Sequence, residues 1–412
     1  MRRILYLDGL RGWAALFVLF HHLLLAFAPD GHEAGIKTSP AAAPLSFLTD
    51  GPLAVSIFFI LSGIVLTAAV TAAGEKGTRI GLVALALKRW LRLGLPIFAA
   101  GLVVLALLSL QVDRSIAIGW AAESSWMRKF FPPAYDPGVL DVLREAFVTA
   151  FVGPETPVHD PVLWTIRIEF PGSLLIFLLA LYLPAGWLRL GLGLVTGIAL
   201  ALVPQGLPGG WIANYCSLFA LGLVLHDLVW LDARREIEPG AWRGPVGVTL
   251  VICGLCLFPL FGLSVYDPAA SPPDPARQAI LGTSQIRAGL VVAGVMLAPV
   301  LQQFLSNMVS GFLGRVSFGL YLLHAPLIWS FGGLAYLPLQ PLLGPVTAAT
   351  TASVIVATLA IAMAWLFHHA VEQPSMKLSA RIAALFSAPR AGRNRGSGTA
   401  GDSFRATARS RA

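Results

Sequence analysis

The sequence predicts an all-α protein that crosses a membrane many times, and its composition and hydropathy pattern support that fold class. Hydrophobic residues make up 56% of the 412 residues and charged residues only 12%, whereas soluble domains carry about 25% charged residues. Ten apolar stretches approach the roughly 20 residues that a helix needs to cross a bilayer. Because lipid tolerates only helices and closed barrels as spanning structures, stretches of this length indicate helices.

The ten predicted spans follow one another along the chain. They lie near residues 10–28, 52–72, 93–111, 163–184, 186–204, 210–230, 244–264, 286–305, 316–334 and 344–368. The two spans that meet at Pro184–Trp187 form, in an alternative interpretation, one re-entrant unit.

The basic residues predict the orientation. If the N-terminus lies inside, the segments on that side hold most of the lysines and arginines, including Arg89, Arg92 and Arg315. Lysine and arginine accumulate in cytoplasmic loops. We therefore expect about ten transmembrane helices with the N- and C-termini in the cytoplasm.

The chain divides into one membrane domain, residues 1–378, and a basic tail, residues 379–412. Six arginines between positions 390 and 411 account for much of the net charge of +8. A basic Gly/Ser/Ala-rich tail is typical of a disordered cytoplasmic segment that is drawn to anionic lipid headgroups. We therefore expect membrane lipids as partners and no nucleic acid.

The longest segment between spans, about 112–162, is rich in aromatic residues. Within it, residues 138–151 are amphipathic at the helical period. Aromatic side chains favour the membrane interface, so we expect this segment to lie along the outer surface as an anchor. The functional alternative is a lid or an acceptor platform.

The first predicted span carries ionisable residues at membrane depth. Arg11 and His22 lie inside or at the edge of its apolar stretch, and Asp8 precedes Arg11 by one turn. Eleven residues of α-helix turn through about 1,100° and rise about 16 Å, so Arg11 and His22 share one face and Asp8 is placed to neutralise Arg11. Ionisable groups in hydrocarbon indicate a functional site by default. The plain alternative is a snorkelling arginine and a hydrogen-bonded core histidine.

Later spans contain further polar residues. Ser62 belongs to a Ser-Gly pair in the second span, a pattern that also serves close helix packing alone. Arg89 and Arg92 share a helix face before the third span. This pair suits phosphate binding, or else it is an ordinary anchor at the positive-inside end.

Depth along the helices links several of these groups. Trp164 and Glu169 open the fourth span, and His324 lies in the ninth. At 1.5 Å per residue in a 30 Å core, His22 lies about 12 Å and Glu169 about 9 Å from the outer edge, and His324 reaches about 12 Å from the inner edge. The three side chains are therefore expected to converge on one cavity, with the arginine pair at its cytoplasmic mouth.

Taken in order, these motifs resemble those of the membrane acyltransferase 3 family over roughly residues 4–378. The matching segments are Arg11 and His22 (Arg-x10-His), Phe58 to Gly63 (Phe-Phe-x-x-Ser-Gly), Arg89 to Arg92 (Arg-x-x-Arg), Leu163 to Glu169 and Tyr321 to His324 (Tyr-Leu-x-His). Each motif alone is weak evidence for the family, whereas the occurrence of all of them in the family's order is strong evidence.

The resemblance implies a membrane O-acyltransferase, because members of this family O-acylate bacterial surface glycans and other acceptors. It implies transfer of an acyl group, most simply acetyl, from cytosolic acetyl-CoA or another acyl-CoA. The expected acceptor is a hydroxyl of a cell-surface or lipid-linked glycan, and the expected location is the inner (plasma) membrane. No metal and no tightly bound cofactor are expected, since acyl-CoA is a co-substrate.

The resemblance also implies roles for individual residues. His22 would be the catalytic centre, either as the base for the acceptor hydroxyl or as a transient acyl carrier. Arg11 would stabilise negative charge on the donor or keep His22 neutral, and Glu169 would orient the acceptor or act as a second base. Arg89 and Arg92 would bind the donor phosphates. The supporting candidates are Asp8, Ser62, Trp164 and His324.

Two other functions fit the same pattern of buried charges. A secondary transporter or flippase also places His, Glu and Arg in its membrane interior, but the chain has no convincing internal repeat. An inactive scaffold would need these residues for folding only. Arg167, which adds a charge beside Glu169, departs from the family pattern, so acceptor choice is expected to differ from that of the familiar glycan modifiers.

Overall fold

The structure, a computed structural model, describes residues 4–28, 43–77, 81–131, 136–153, 160–234, 240–257 and 275–386. Regular secondary structure in these ranges is entirely helical, which confirms the all-α prediction. The sixteen α-helices of the described residues are α1 (Leu5–Phe27), α2 (Gly51–Glu75), α3 (Leu82–Ser109), α4 (Ser115–Ala121), α5 (Val139–Arg144), α6 (Ala150–Val152), α7 (Ile166–Tyr182), α8 (Trp187–Ala201), α9 (Gly210–Ala233), α10 (Arg243–Ile252), α11 (Pro275–Leu297), α12 (Pro299–Leu305), α13 (Met308–Leu327), α14 (Gly333–Leu343), α15 (Pro345–Phe367) and α16 (Gln373–Leu385).

Short non-α turns connect or extend several of these helices. The 3₁₀ turns are Ala43–Thr49, Met127–Lys129 and Pro161–Thr165, and the π turns are Glu145–Thr149, Cys253–Leu257, Ile328–Gly332 and His368–Glu372. π turns inside α-helices are frequent at functional sites, and the turn His368–Glu372 contributes to the cavity described below.

The chain is a multi-pass membrane protein, with seven helical segments in its described part that are long and apolar enough to cross a bilayer. They are Leu5–Phe27, Gly51–Glu75, Leu82–Ser109, Pro161–Tyr182, Gly210–Ala233, Met308–Leu343 and Pro345–Leu385. An eighth candidate, Thr283–Leu297 with Pro299–Leu305, is bent by 97°. The predicted spans near 186–204 and 244–264 correspond to shorter apolar helices, so the count of ten and the cytoplasmic termini remain predictions.

The first three long helices define two ends of the bundle. We call the end that holds the start of α1, the end of α2 and the start of α3 the basic end. We call the end that holds the opposite termini of these helices the aromatic end. Helix α2 runs antiparallel to α1, because the ring of His21 lies beside Gly51. Helix α13 runs parallel to α1, because Asp8 lies beside Gly314 and His22 beside His324.

Glycines bring α1 and α13 into backbone contact. A Cβ atom at Gly12 would overlap the backbone of Leu313 and Gly314, and one at Gly314 would overlap the carbonyl of Asp8. Gly9 faces the carbonyl of Leu305, the last residue of α12, in the same way. Small residues permit this close approach of membrane helices, which fixes the register of α1 against α13.

The amphipathic segment descends beside a membrane helix, so the prediction that it lies along the outer surface is wrong. Val142 of α5 contacts Gly101 of α3, and Phe147 contacts Gly94. The indole Nε1 of Trp90 donates a hydrogen bond to the carbonyl of Phe147 at 3.0 Å. The segment thus runs antiparallel to α3, toward the basic end, because its apolar face packs on the glycines of that helix.

Two buried ion pairs tie further helices together. Arg189 of α8 makes two hydrogen bonds to Asp227 of α9, at 2.7 Å from Nε and 2.5 Å from Nη2. Arg287 of α11 contacts Asp50, which caps α2 through the amide of Leu53, at 2.5 Å. Because each of these charges has a buried partner, they serve the structure of the bundle.

The close contact of α1 with α13 predicts that Gly12→Ala destabilises the protein. The added methyl group must displace backbone atoms, and overpacking of this kind costs about 1–3 kcal/mol. Thermal unfolding in detergent should show a melting temperature several degrees below that of the wild type, by the usual conversion of free energy to melting temperature.

Gly191→Ala is the matched control, because a Cβ at this helical position meets nothing within 4 Å. Alanine is favoured over glycine in a helix by about 1 kcal/mol, so the melting temperature should stay the same or rise. Equal losses in both variants would contradict the proposed role of the contact.

Candidate active site

A cavity of about 210 Å³ lies among α1, α2, α3, α7, α13 and the π turn His368–Glu372. Its apolar wall comes mainly from α2 and α3, whereas its charged residues come from five different segments. The polar side chains that line it are Arg11, Ser62, Arg89, Arg92, Thr165, Glu169, Arg315, Ser317, Tyr321, His368 and Glu372. Four guanidinium groups against two carboxylates give this cavity an excess of positive charge.

Glu169 and Arg89 form an ion pair in the cavity wall. Arg89 also donates from Nε to the hydroxyl of Ser173 at 2.9 Å. The hydroxyl of Ser62 donates to Glu169 Oε1 at 2.7 Å. Three helices, α2, α3 and α7, thus converge on one carboxylate, and Arg89 is engaged with protein groups.

Arg92 and Arg315 differ from Arg89 because they lie exposed to the cavity. Both side chains line it, and both residues are exposed. Neither makes a hydrogen bond or an ion pair with another residue in the described part of the chain. Arg11, by contrast, lies 3.8 Å from the carboxylate of Asp8, one turn earlier in α1, as its spacing predicts.

A histidine–carboxylate pair completes the cavity on the side of α15. His368 Nδ1 and Glu372 Oε2 are 3.0 Å apart within one π turn. These two residues and Arg315 are not among the site residues predicted from the sequence. The signal available for His368 and Glu372 was their four-residue spacing at the end of an apolar span, which on an α-helix also fits a simple pair on one face.

His22 and His324 form a second polar cluster, toward the aromatic end. His22 Nδ1 and His324 Nε2 are 2.9 Å apart, and Nδ1 of His324 donates to the carbonyl of Leu320 at 3.1 Å. A carbonyl oxygen only accepts, so neutral His324 carries its proton on Nδ1 and accepts at Nε2. His22 then donates from Nδ1, and Nε2 is the unprotonated nitrogen of the neutral His22 ring.

Aromatic residues pack around this histidine pair. The indole ring of Trp126, from the segment between α4 and the turn Met127–Lys129, stacks on His22 with centroids 4.8 Å apart. His324 is 1% exposed. The neighbouring His21 is turned away, because its Nδ1 donates to the carbonyl of Thr49 at 2.9 Å.

Tyr321 separates the histidine pair from the charged cavity. Its ring lies 6.0 Å from that of His324, and its hydroxyl donates to the carbonyl of Val162 at 2.6 Å. Thr165 Oγ1 lies 2.8 Å from the same hydroxyl. Tyr321 and Thr165 line the cavity, whereas His22 and His324 do not.

The predicted convergence on one cavity is therefore partly right. His22 and His324 meet, as the depth estimate predicts. Glu169 lies instead with Arg89 on the cavity side of Tyr321, because α7 begins only after the turn Pro161–Thr165 and carries its carboxylate past the histidines. Trp164 packs against Trp211 and Tyr215, away from the cavity lining.

No cluster of three or more His, Cys, Asp or Glu side chains within the described ranges is arranged to hold a metal ion.

The Arg89–Glu169 pair predicts a measurable coupling between the two side chains. The coupling can be measured with a double-mutant cycle of Arg89→Gln, Glu169→Gln and the double variant. The free energy of unfolding of each protein is measured by SDS titration in mixed micelles. Because the pair is only 11% and 13% exposed, its coupling energy should be about 1.5–3 kcal/mol.

The pair Arg234–Glu75 provides the control cycle, since its side chains are 61% and 50% exposed. Exposed ion pairs contribute only about 0.2–1 kcal/mol. A coupling energy at Arg89–Glu169 no larger than that of the exposed pair would mean that the cavity pair is not held by its surroundings.

Comparison with known proteins identifies the relatives of this chain. The family model described as an acyltransferase domain matches residues 4–368. A protein named O-acetyltransferase PaAT-1, from Phomopsis amygdali, is 23% identical over 376 residues, which cover 79% of this chain and 72% of that protein. No solved structure matches the chain.

Proposed function

We propose that the donor of this protein is an acyl-CoA and that its acceptor is a saccharide hydroxyl. The chain belongs to the acyltransferase family whose model it matches, and it is a membrane O-acyltransferase. The group transferred is acetyl, as the name of the O-acetyltransferase from Phomopsis amygdali suggests. The observation that carries the proposal is the closeness of the histidine pair to the positively charged cavity, since Tyr321 lines the cavity and His324, which bonds His22, follows Tyr321 by about one helical turn.

The charge of the cavity supports a polyanionic donor. Acyl-CoA carries a diphosphate and a further phosphate, and guanidinium groups bind phosphates through paired, charge-assisted hydrogen bonds. The cavity has four guanidinium groups and two carboxylates in its lining. The thioester end of the donor would then extend toward Tyr321 and the histidine pair.

The histidine pair supports general-base chemistry. Nε2 of His22 takes the proton of the acceptor hydroxyl while the hydroxyl oxygen forms a bond to the thioester carbonyl carbon. The carbon–sulfur bond then breaks, and the CoA thiolate receives the proton. His324 acts as a positioning residue, because its bond to the Leu320 carbonyl sets the tautomer of His22. A two-step route, in which His22 first carries the acyl group, uses the same nitrogen.

The other predicted site residues act around this centre. Arg11, restrained by Asp8, stabilises negative charge on the donor. Glu169, held by its ion pair with Arg89, lines the donor side of the cavity and does not act as a second base. Ser62 holds Glu169 by its hydrogen bond. Trp164 supports the aromatic packing behind α7.

The acceptor is proposed to approach from the aromatic end. Trp126, which stacks on His22, is only partly buried. An aromatic ring beside the catalytic histidine suits a saccharide, because sugar rings present apolar faces between their hydroxyls. A cell-surface or lipid-linked glycan in the plasma membrane is the proposed acceptor class.

The proposal predicts that His22→Ala abolishes acyl transfer. Membranes that contain the wild type should transfer label from acetyl-CoA into a lipid- or polysaccharide-extractable product. General-base catalysis contributes about 10²–10⁴-fold, so the rate should fall by that factor in the variant at equal amounts of folded protein.

His369→Ala is the control, because His369 is exposed, lies outside the cavity lining and makes one hydrogen bond among the described residues, to the carbonyl of Trp365. Its ring contacts the rings of Trp365 and His368 but not the histidine pair of the proposed centre. This variant should transfer label at the wild-type rate. Full activity of His22→Ala would contradict the assignment of His22. Uptake of an unmodified substrate, without any need for acetyl-CoA, would instead indicate the transporter function.

A further inference from the structure

The cavity contains two kinds of arginine. Arg11 and Arg89 face carboxylates, Asp8 and Glu169. Arg92 and Arg315 face the cavity, and neither is joined by an ion pair or hydrogen bond to another residue of the described ranges. The sequence motif contains Arg89 and Arg92. In the structure, Arg92 resembles Arg315 more than it resembles Arg89, because Arg92 and Arg315 are both exposed and neither forms an ion pair within those ranges.

Arg92 and Arg315 form no ion pair or hydrogen bond with another described residue, although Glu169 and Glu372 lie near enough to attract the charge of Arg92. Guanidinium groups in this setting must be solvated by water or bound by an anion. An ionised group in a membrane-spanning segment is costly unless it is paired or solvated. Both carboxylates of the lining have a closer partner than Arg92 or Arg315, because Glu169 pairs with Arg89 and Oε2 of Glu372 lies 3.0 Å from His368. An anionic ligand that enters the cavity would therefore form ion pairs with the two exposed arginines.

The positions of Arg92 and Arg315 suit an anion with two charged groups. Arg92 lies on α3 and Arg315 on α13, and these helices contact each other beside the cavity. Each guanidinium can form a bidentate fork with one phosphoryl group. A diphosphate presents two adjacent phosphoryl groups, whereas a carboxylate presents only one charged group.

We propose that Arg92 and Arg315 together bind the diphosphate of the donor, and that Arg89 acts on the donor only indirectly, by holding Glu169. This inference rests on the acyl-CoA donor of the proposed function. It adds Arg315, a residue outside the recognised motifs, to the donor-binding site and assigns Arg89 a positioning role.

The test is the binding of CoA to the purified full-length protein in detergent, measured by isothermal titration calorimetry. A hydrogen bond to a charged group contributes enough that Arg92→Ala and Arg315→Ala should each weaken CoA binding about tenfold or more. Pantetheine, which has no diphosphate, should bind weakly, and its affinity should be equal in the wild type and in both variants.

Three further variants separate the proposed contact from a general effect on charge or folding. Arg315→Lys keeps the charge but loses the fork, so it should restore part of the lost affinity. Arg89→Ala should weaken CoA binding less than Arg315→Ala. Arg381→Ala, at an exposed position outside the cavity lining, should bind CoA like the wild type.

The outcomes distinguish this inference from the proposed function. If the wild type and Arg315→Ala bind CoA equally, or if pantetheine loses affinity as CoA does, the diphosphate site is wrong while the acyl-CoA donor stands. If the wild type does not bind CoA, the donor assignment fails, and this inference fails with it. Thermal unfolding without ligand verifies that each variant is folded.

Discussion

The close packing of α1 on α13 is the constraint on which the candidate site depends. Two glycines, Gly12 and Gly314, let the two backbones touch near the basic end. Because the helices run parallel, the register set there is carried along both of them to the pair His22–His324. The same contact places Arg11 and Arg315 in the wall of one cavity. Phe27, at the far end of α1, still packs against Gly332.

The bundle separates two kinds of chemistry along its axis. Toward the basic end, the cavity combines guanidinium groups and carboxylates and has room for a polyanion. Toward the aromatic end, two histidines and Trp126 form a compact, mostly apolar cluster. Tyr321 and Thr165 stand between them. This arrangement fits the proposed mechanism, in which the donor phosphates bind toward the basic end and proton transfer takes place toward the aromatic end.

The sequence predicted the helical fold, the Asp8–Arg11 contact and the meeting of His22 with His324, because each depends on helical geometry or on depth in a membrane. It did not predict that residues 139–152 descend along α3, because an amphipathic pattern is the same whether its apolar face covers lipid or the glycines of another helix. Nor did it separate Glu169 from the histidines, since depth gives height along the bundle but not which helices are neighbours. The exposure of Arg315 was likewise beyond reach, because an arginine near the end of a span usually serves as an anchor.

The most direct test of the central claim is the tautomer of His22. Nitrogen chemical shifts of ¹⁵N-histidine-labelled protein, assigned with His22→Gln and His324→Gln, report which ring nitrogen carries the proton. The account predicts a neutral His22 protonated at Nδ1 and unprotonated at Nε2, with the shifts of His22 moving in His324→Gln. A His22 protonated at Nε2, or one unaffected by the loss of His324, would contradict it.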